Sequence, residues 1–174
     1  MQDYSALRDA IRDVVDFPKE GIIFKDIMPM LAQPELLKLS VQAFCETAAG
    51  QKIDKVVGID ARGFIFGSAV AMELGAGFVP IRKKGKLPWM TNAISYSLEY
   101  GEATVEIHQD SIKPGERVLI VDDLLATGGT AAAAVSLVQS LDADLVGISF
   151  LIELEFLNGR QLLPTKNIHS IIQY

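Results

Sequence analysis

The run Val118-Leu119-Ile120-Val121-Asp122-Asp123-Leu124-Leu125-Ala126-Thr127-Gly128-Gly129-Thr130 does most to restrict the fold. Four successive apolar residues, three of them β-branched, predict a buried strand. Two adjacent acids stand where that strand is expected to end. A small loop rich in glycine and hydroxyls follows, and then Ala131, Ala134, Val135, Val138 and Leu141 mark one face of a helix.

A second unit has the same order. Residues 55–59 predict a buried strand, Asp60-Ala61-Arg62-Gly63 a polar turn, residues 64–74 a helix and residues 78–81 the next strand. Repeated βα units imply a parallel sheet with right-handed crossovers. The predicted class is therefore α/β, with a mainly parallel central sheet flanked by helices.

Each part of the 118–130 unit has a chemical use. Backbone N–H groups of the loop and first helical turn, together with the helix dipole, suit a phosphate. Gly128 and Gly129 permit close backbone approach and positive φ, and Thr127 and Thr130 add hydroxyls. Asp122 and Asp123 fall at the carboxyl end of a strand, where open α/β sheets bind ligands. Acids there are unsuited to a phosphate and suited to sugar hydroxyls, or to a metal carried by the ligand. A phosphorylated sugar satisfies both halves. Neither a P-loop nor a dinucleotide glycine fingerprint is present. The plain alternative is a strand–turn–helix connection with capping residues.

The 174 residues suit one domain, 1–174, with a full core. A net charge of −6 disfavours nucleic acid and anionic membrane as partners. The apolar region 63–81 is interrupted by Glu73 and is predicted as core helix and strand rather than a membrane span. No signal segment is evident at the N-terminus, and the single cysteine, Cys45, suits a reducing cytoplasm. His108 and His169 are too far apart in sequence to suggest a zinc site built by the protein.

Further expectations follow in chain order. Residues 4–15 predict a helix, with Tyr4, Leu7, Ile11 and Val14 on one face, stopped by Phe17-Pro18. Ile22-Ile23-Phe24 is either a short strand or an apolar lid. A second helix is expected over about 35–49. Arg82-Lys83-Lys84-Gly85-Lys86-Leu87-Pro88 is densely basic in an acidic chain, and its bland reading is a solvated loop. Residues 95–108 predict a hairpin around Glu99-Tyr100-Gly101. A strand over 144–152, a short helix near 155–162 and a strand near 168–172 close the domain.

With these blocks assembled, the chain resembles the adenine phosphoribosyltransferases, a type I phosphoribosyltransferase family, over nearly its whole length. The resemblance is carried by residues 17–27, by Gly58-Ile59-Asp60-Ala61-Arg62-Gly63-Phe64-Ile65-Phe66-Gly67, by the basic run joined to Tyr96-Ser97-Leu98-Glu99-Tyr100-Gly101, and by residues 121–130. Lys25 stands where arginine is common in the family. The resemblance implies a pentosyltransferase that moves 5-phosphoribosyl from phosphoribosyl pyrophosphate (PRPP) to N9 of adenine, giving AMP and pyrophosphate in purine salvage. It implies a homodimer, a hood formed by about residues 1–34, and a mobile loop over about 82–108. It places the 5′-phosphate on Ala126, Thr127, Gly128, Gly129 and Thr130, and the ribose on Asp122 and Asp123. It places pyrophosphate on Asp60, Ala61, Arg62, Gly63, Arg82, Lys83 and Lys86, with a cis peptide between Asp60 and Ala61. Adenine falls to Ile23, Phe24, Lys25 and Leu124, and catalysis to Glu99, Tyr100 and Arg62. Mg2+ is expected to arrive with PRPP, with no direct protein ligand, and to meet Asp122 or Asp123 through water.

Two other functions fit the same blocks. One is a non-catalytic PRPP-sensing regulator, since one fold serves many functions. The other is the same transfer to a 6-oxopurine.

Overall fold

Val118 and Ile120 pack on one face of the central sheet, and Leu119 and Val121 on the other. This alternation, buried on both sides, is what a parallel strand covered by two helical layers requires. The computed structural model describes residues 3–97 and 102–174.

In chain order the elements are α1 (Ser5–Asp9), β1 (Arg12–Val15), β2 (Ile23–Asp26), α2 (Met28–Leu31), α3 (Pro34–Thr47), β3 (Lys55–Ile59), α4 (Gly63–Leu74) and β4 (Gly77–Lys83). They continue with β5 (Thr91–Ser97), β6 (Glu102–His108), β7 (Arg117–Leu125), α5 (Gly129–Gln139) and β8 (Asp144–Glu153). Two 3-10 turns, Glu155–Leu157 and Gly159–Leu162, lead to β9 (Ile168–Gln173). The main sheet has the order β5-β6-β4-β3-β7-β8-β9. From β4 to β9 the neighbours are parallel, whereas β6 pairs antiparallel with both β4 and β5. The expected mainly parallel sheet is therefore the one observed.

Helices α3 and α4 cover one face, where Phe44 and Phe66 meet with ring centroids 5.3 Å apart. Helix α5 covers the other, burying Ala134, Val135, Leu137 and Val138. Strands β3 and β7 are adjacent, yet the chain leaves β3 for α4 on one face and leaves β7 for α5 on the other. A divergence of this kind opens a crevice at the carboxyl ends of the two strands.

Several local expectations are corrected. The helix expected over 4–15 ends at Asp9, and Arg12–Val15 instead pairs antiparallel with Ile23–Asp26. Two opposite-charge pairs lie across this ladder, Arg12–Asp26 at 2.5 Å and Lys25–Asp13 at 2.7 Å. Such pairs, with β-branched Val14 and Val15, favour the strand. Strand β7 does not stop before the acids. Its pairing with β3 is last registered at Gly58↔Val121, while its pairing with β8 continues to Leu125↔Glu153. Asp122 and Asp123 are thus held in a strand with one partner. The basic run begins inside β4, because Arg82 and Lys83 pair with Glu106 and Val105 of β6. The short helix near 155–162 is two 3-10 turns divided at Asn158, whose φ is +54°.

Among the described residues no helix is long and apolar enough to cross a membrane.

Candidate active site

The crevice between β3 and β7 is a cleft of about 390 Å³, lined by residues 59–62 and 122–131. One wall is the β3–α4 turn and the other is the end of β7 with the loop into α5. The Asp60–Ala61 peptide is cis, as expected.

The loop into α5 owes its shape to Gly128, whose φ of +89° puts it in the left-handed region. Gly129, also expected to adopt positive φ, is instead the first residue of α5. Gly128 caps that helix with no side-chain hydrogen bond. A helix begun without a side-chain cap leaves its first N–H groups for solvent or a ligand. A Cβ on Gly128 would overlap the carbonyl of Gly159, and a Cβ on Gly159 would overlap the carbonyl of Ala126. The second 3-10 turn therefore lies directly behind the loop.

Opposite the loop, Arg62 Nε lies 2.7 Å from Asp123 Oδ2. The Arg62 guanidinium also stands 5.2 Å from the Phe24 ring centroid, and Phe24 packs edge-on against Phe17. One cation thus touches an acid of β7 and an aromatic ring of β2. Asp122 Oδ1 accepts the Asp123 N–H at 2.9 Å. It lies so close to Gly63 that a Cβ there would approach it to 2.7 Å. Burial, and then the neighbouring Asp123 charge, raise the Asp122 carboxyl well above the ordinary value. Burial also raises Asp123, and Arg62 opposes that rise. The pair is best described as an ionised Asp123 on Arg62 beside an Asp122 that readily holds a proton.

The expected residues divide as follows. Asp60, Ala61, Arg62, Asp122, Asp123, Leu124, Ala126, Thr127, Gly128, Gly129 and Thr130 all line the cleft. Gly63 is buried beneath Asp122, and Phe24 reaches the cleft through Arg62. Arg82 is joined to it indirectly, with Nε 3.3 Å from Asp60 Oδ2. Lys83, Lys86 and Ile23 are exposed and do not line the cleft. The Lys25 ammonium turns away to Asp13 and the ring of Tyr174. Glu99 and Tyr100 lie outside the described residues.

The model of the phosphoribosyl transferase domain family matches residues 34–169. An adenine phosphoribosyltransferase of Nitrosococcus oceani is 53% identical over 168 residues, covering 97% of this chain and 98% of that one. A crystal structure of adenine phosphoribosyltransferase from Rhodothermus marinus is 54% identical, with a TM-score of 0.93 and 98% of each chain covered. One from Saccharomyces cerevisiae, complexed with D-2,5-dideoxy-2,5-imino-altritol 1,6-bisphosphate and adenine, is 42% identical, with a TM-score of 0.93 and 97% of each chain covered. The chain belongs to the adenine phosphoribosyltransferase family.

Three residues to which the sequence assigned no role support this site. Tyr96 on β5 shares a hydrogen bond of 2.9 Å between its hydroxyl and Thr130 Oγ1, tying the hairpin to α5. Gly159 backs the phosphate-type loop. Glu106 on β6 is 5% exposed, and its Oε1 accepts the N–H groups of Lys86 and Leu87, both at 3.0 Å. Burial pushes this carboxyl up, but donation from the Leu87, Gly85 and Lys86 backbone and from Thr91 holds it below the ordinary value. Tyr96 had a signal, since it alternates with Ile94 on a strand. Glu106 had none, because an acid in an alternating strand predicts a solvent-facing position.

Proposed function

We propose that the chain transfers the 5-phosphoribosyl group of PRPP to N9 of adenine, releasing pyrophosphate and forming AMP in purine salvage. The observation that carries this is the single cleft in which an uncapped helix start faces two adjacent acids, one held by arginine. A phosphate needs the first and a ribose the second.

On this reading residues 126–130 bind the 5′-phosphate through backbone N–H groups. Asp122 and Asp123 accept from the ribose hydroxyls, which orients C1 toward the base. The Asp60–Gly63 turn, Arg62 and the Arg82–Lys86 basic run receive the pyrophosphate as negative charge grows on it. Arginine serves as a fork and lysine as a point charge. Phe24 and the neighbouring isoleucines wall the adenine, with Leu124 beneath it and backbone groups of Ile23 and Lys25 reading its edge. The engagement of the Lys25 ammonium with Asp13 and Tyr174 favours a backbone role for that residue. Glu99 and Tyr100 are assigned the proton at N7 and the closing of the site. Segment 82–108 closes over the bound sugar and keeps water out. Greater hydrogen-exchange protection with PRPP than without is its expected sign.

Among the described residues no group of three or more His, Cys, Asp or Glu is arranged to hold a metal. The adjacent acids Asp122 and Asp123 would suit an ion carried by PRPP and met through water, with Asp122 giving up its proton as the ion arrives. When bound, Mg2+ supplies charge neutralisation at the phosphates. We assign the protein to the cytoplasm. We also assign it a homodimer, for which exposed Ile65 and Met72 on α4 supply apolar surface.

The test is AMP formation from PRPP and Mg2+ with adenine, hypoxanthine and guanine in turn. Adenine should be used far better than either 6-oxopurine. PRPP binding without turnover would favour a sensor, and equal use of hypoxanthine would overturn the substrate.

A further inference from the structure

Glu106 is a carboxylate buried between Val105 and Ile107 on β6, and a charge in that position is costly unless donors surround it. Its donors come from one place. The N–H groups of Lys86 and Leu87 meet Oε1, and the Thr91 hydroxyl approaches Oε2 at 3.4 Å. The contacts then run on toward the cleft. The Lys86 carbonyl accepts Arg82 Nη1 at 3.1 Å, and Arg82 Nε donates to Asp60 Oδ2 at 3.3 Å. A buried acid on the hairpin is thus joined, through one peptide unit and one arginine, to the wall of the cleft.

We propose that Glu106 is a positioning residue for the anion-binding side of the cleft, holding the turn at Lys86 and, through Arg82, the carboxylate of Asp60. The inference rests on the reading that the basic run serves pyrophosphate. Lys83, Lys84 and Lys86 crowd ammonium groups into one tight turn, and their repulsion favours opening it. A carboxylate beneath the turn offsets that repulsion and fixes two backbone donors at once. An apolar side chain would fill the same space without leaving an acid to be satisfied, so the acid is there for the conformation it imposes. Removing it takes the acceptor from the Leu87 N–H, leaves the Lys86 N–H only the Lys83 carbonyl at 3.2 Å, and loosens the Lys86 carbonyl that anchors Arg82.

Wild type, Glu106→Ala and Glu106→Gln are titrated calorimetrically with pyrophosphate and assayed for PRPP and adenine KM, with melting temperature measured alongside. In Glu106→Ala, pyrophosphate binding should weaken and PRPP KM should rise by about tenfold, while adenine KM stays within about twofold. Glu106→Gln keeps an oxygen acceptor but loses the charge, and should fall between. Should the alanine variant not fold, the glutamine variant decides, with a PRPP KM raised by about threefold expected. A lower melting temperature with unchanged pyrophosphate binding and PRPP KM overturns the role and leaves Glu106 purely structural. Equal increases in both KM values overturn it too. Failure of the underlying reading is separate, since wild type would then make no AMP. The pyrophosphate titrations still decide the role of Glu106 in that case, and no binding by wild type overturns it.

Discussion

Arg62 Nε lies 2.7 Å from Asp123 Oδ2, so the cation assigned to the leaving group is already paired with an acid assigned to the ribose. The side chain of Asp123 is 8% exposed and that of Arg62 32%. When PRPP enters, the ribose hydroxyls and the pyrophosphate compete for the two halves of this pair.

Arg62→Ala should therefore harm both stability and binding. Breaking a buried pair costs ~3–5 kcal/mol, and the partial exposure of Arg62 reduces this to roughly 1–3 kcal/mol. The melting temperature should fall, and PRPP KM should rise by about tenfold or more. An unchanged melting temperature would mean that Asp123 takes up a proton once its partner is lost.

Asp122 carries the opposite expectation. A carboxyl whose folded-state pKa lies above its unfolded value keeps its proton in the native state after the unfolded chain has lost it. Its contribution is fully present below the ordinary value of 3.8 and declines as pH rises from there through the folded-state value, after which it is level. Asp122→Asn removes the ionisable group. The variant should be more stable than wild type at pH 7. It should also lack the decline that Asp122 contributes as pH rises above 3.8, and bind PRPP more weakly. Melting curves from pH 4 to pH 8 check the sign, and a less stable variant at pH 7 would refute the raised Asp122.

Gly128 and Gly159 should each tolerate no side chain. Alanine at Gly128 meets a φ of +89°, costing about 1–2 kcal/mol before the overlap with the Gly159 carbonyl is counted. Gly159→Ala is the more telling change, because Gly159 lies outside the motif and a Cβ there would overlap the Ala126 carbonyl and crowd the Gly128 N–H at 3.1 Å. Both variants should raise PRPP KM more than adenine KM. Normal PRPP kinetics in Gly159→Ala would mean that the loop does not depend on the turn behind it.

These cases also show what the sequence made legible. The β7–α5 unit was readable because its pattern is local: β-branched run, acids, glycines, alanine-rich helix. The β3–α4 turn was readable for the same reason. The hood hairpin was not. Its ladder joins Arg12 to Asp26 and Val15 to Ile23, and nothing within 12–15 announces a partner so far along the chain. A spacing of four between Leu7 and Ile11 fits a helix equally well. The end of β7 was misplaced because the acids look like a terminus, whereas β8 continues to pair beyond them. Glu106 was invisible because its burial depends on a turn that folds over it from another strand.

Glu99, assigned the proton at N7, lies outside the described residues. The strands that flank it in sequence, β5 and β6, pair in a register that runs from Thr91↔His108 to Ser97↔Glu102. Tyr96 is anchored to Thr130 at the start of α5. On the proposed function, Glu99 brings a carboxyl to the base in the closed site. Adenine attacks through N9, and a proton shared at N7 helps the ring accept the loss of its N9 proton. A glutamic acid does this only while protonated, so kcat should fall as pH rises through its pKa in the complex. Glu99→Gln should lower kcat by about 10²–10⁴-fold, flatten that limb of the pH profile and leave PRPP KM nearly unchanged. Wild-type turnover in Glu99→Gln would remove the acid role. A rise in PRPP KM without a loss of kcat would move Glu99 from the base to the sugar.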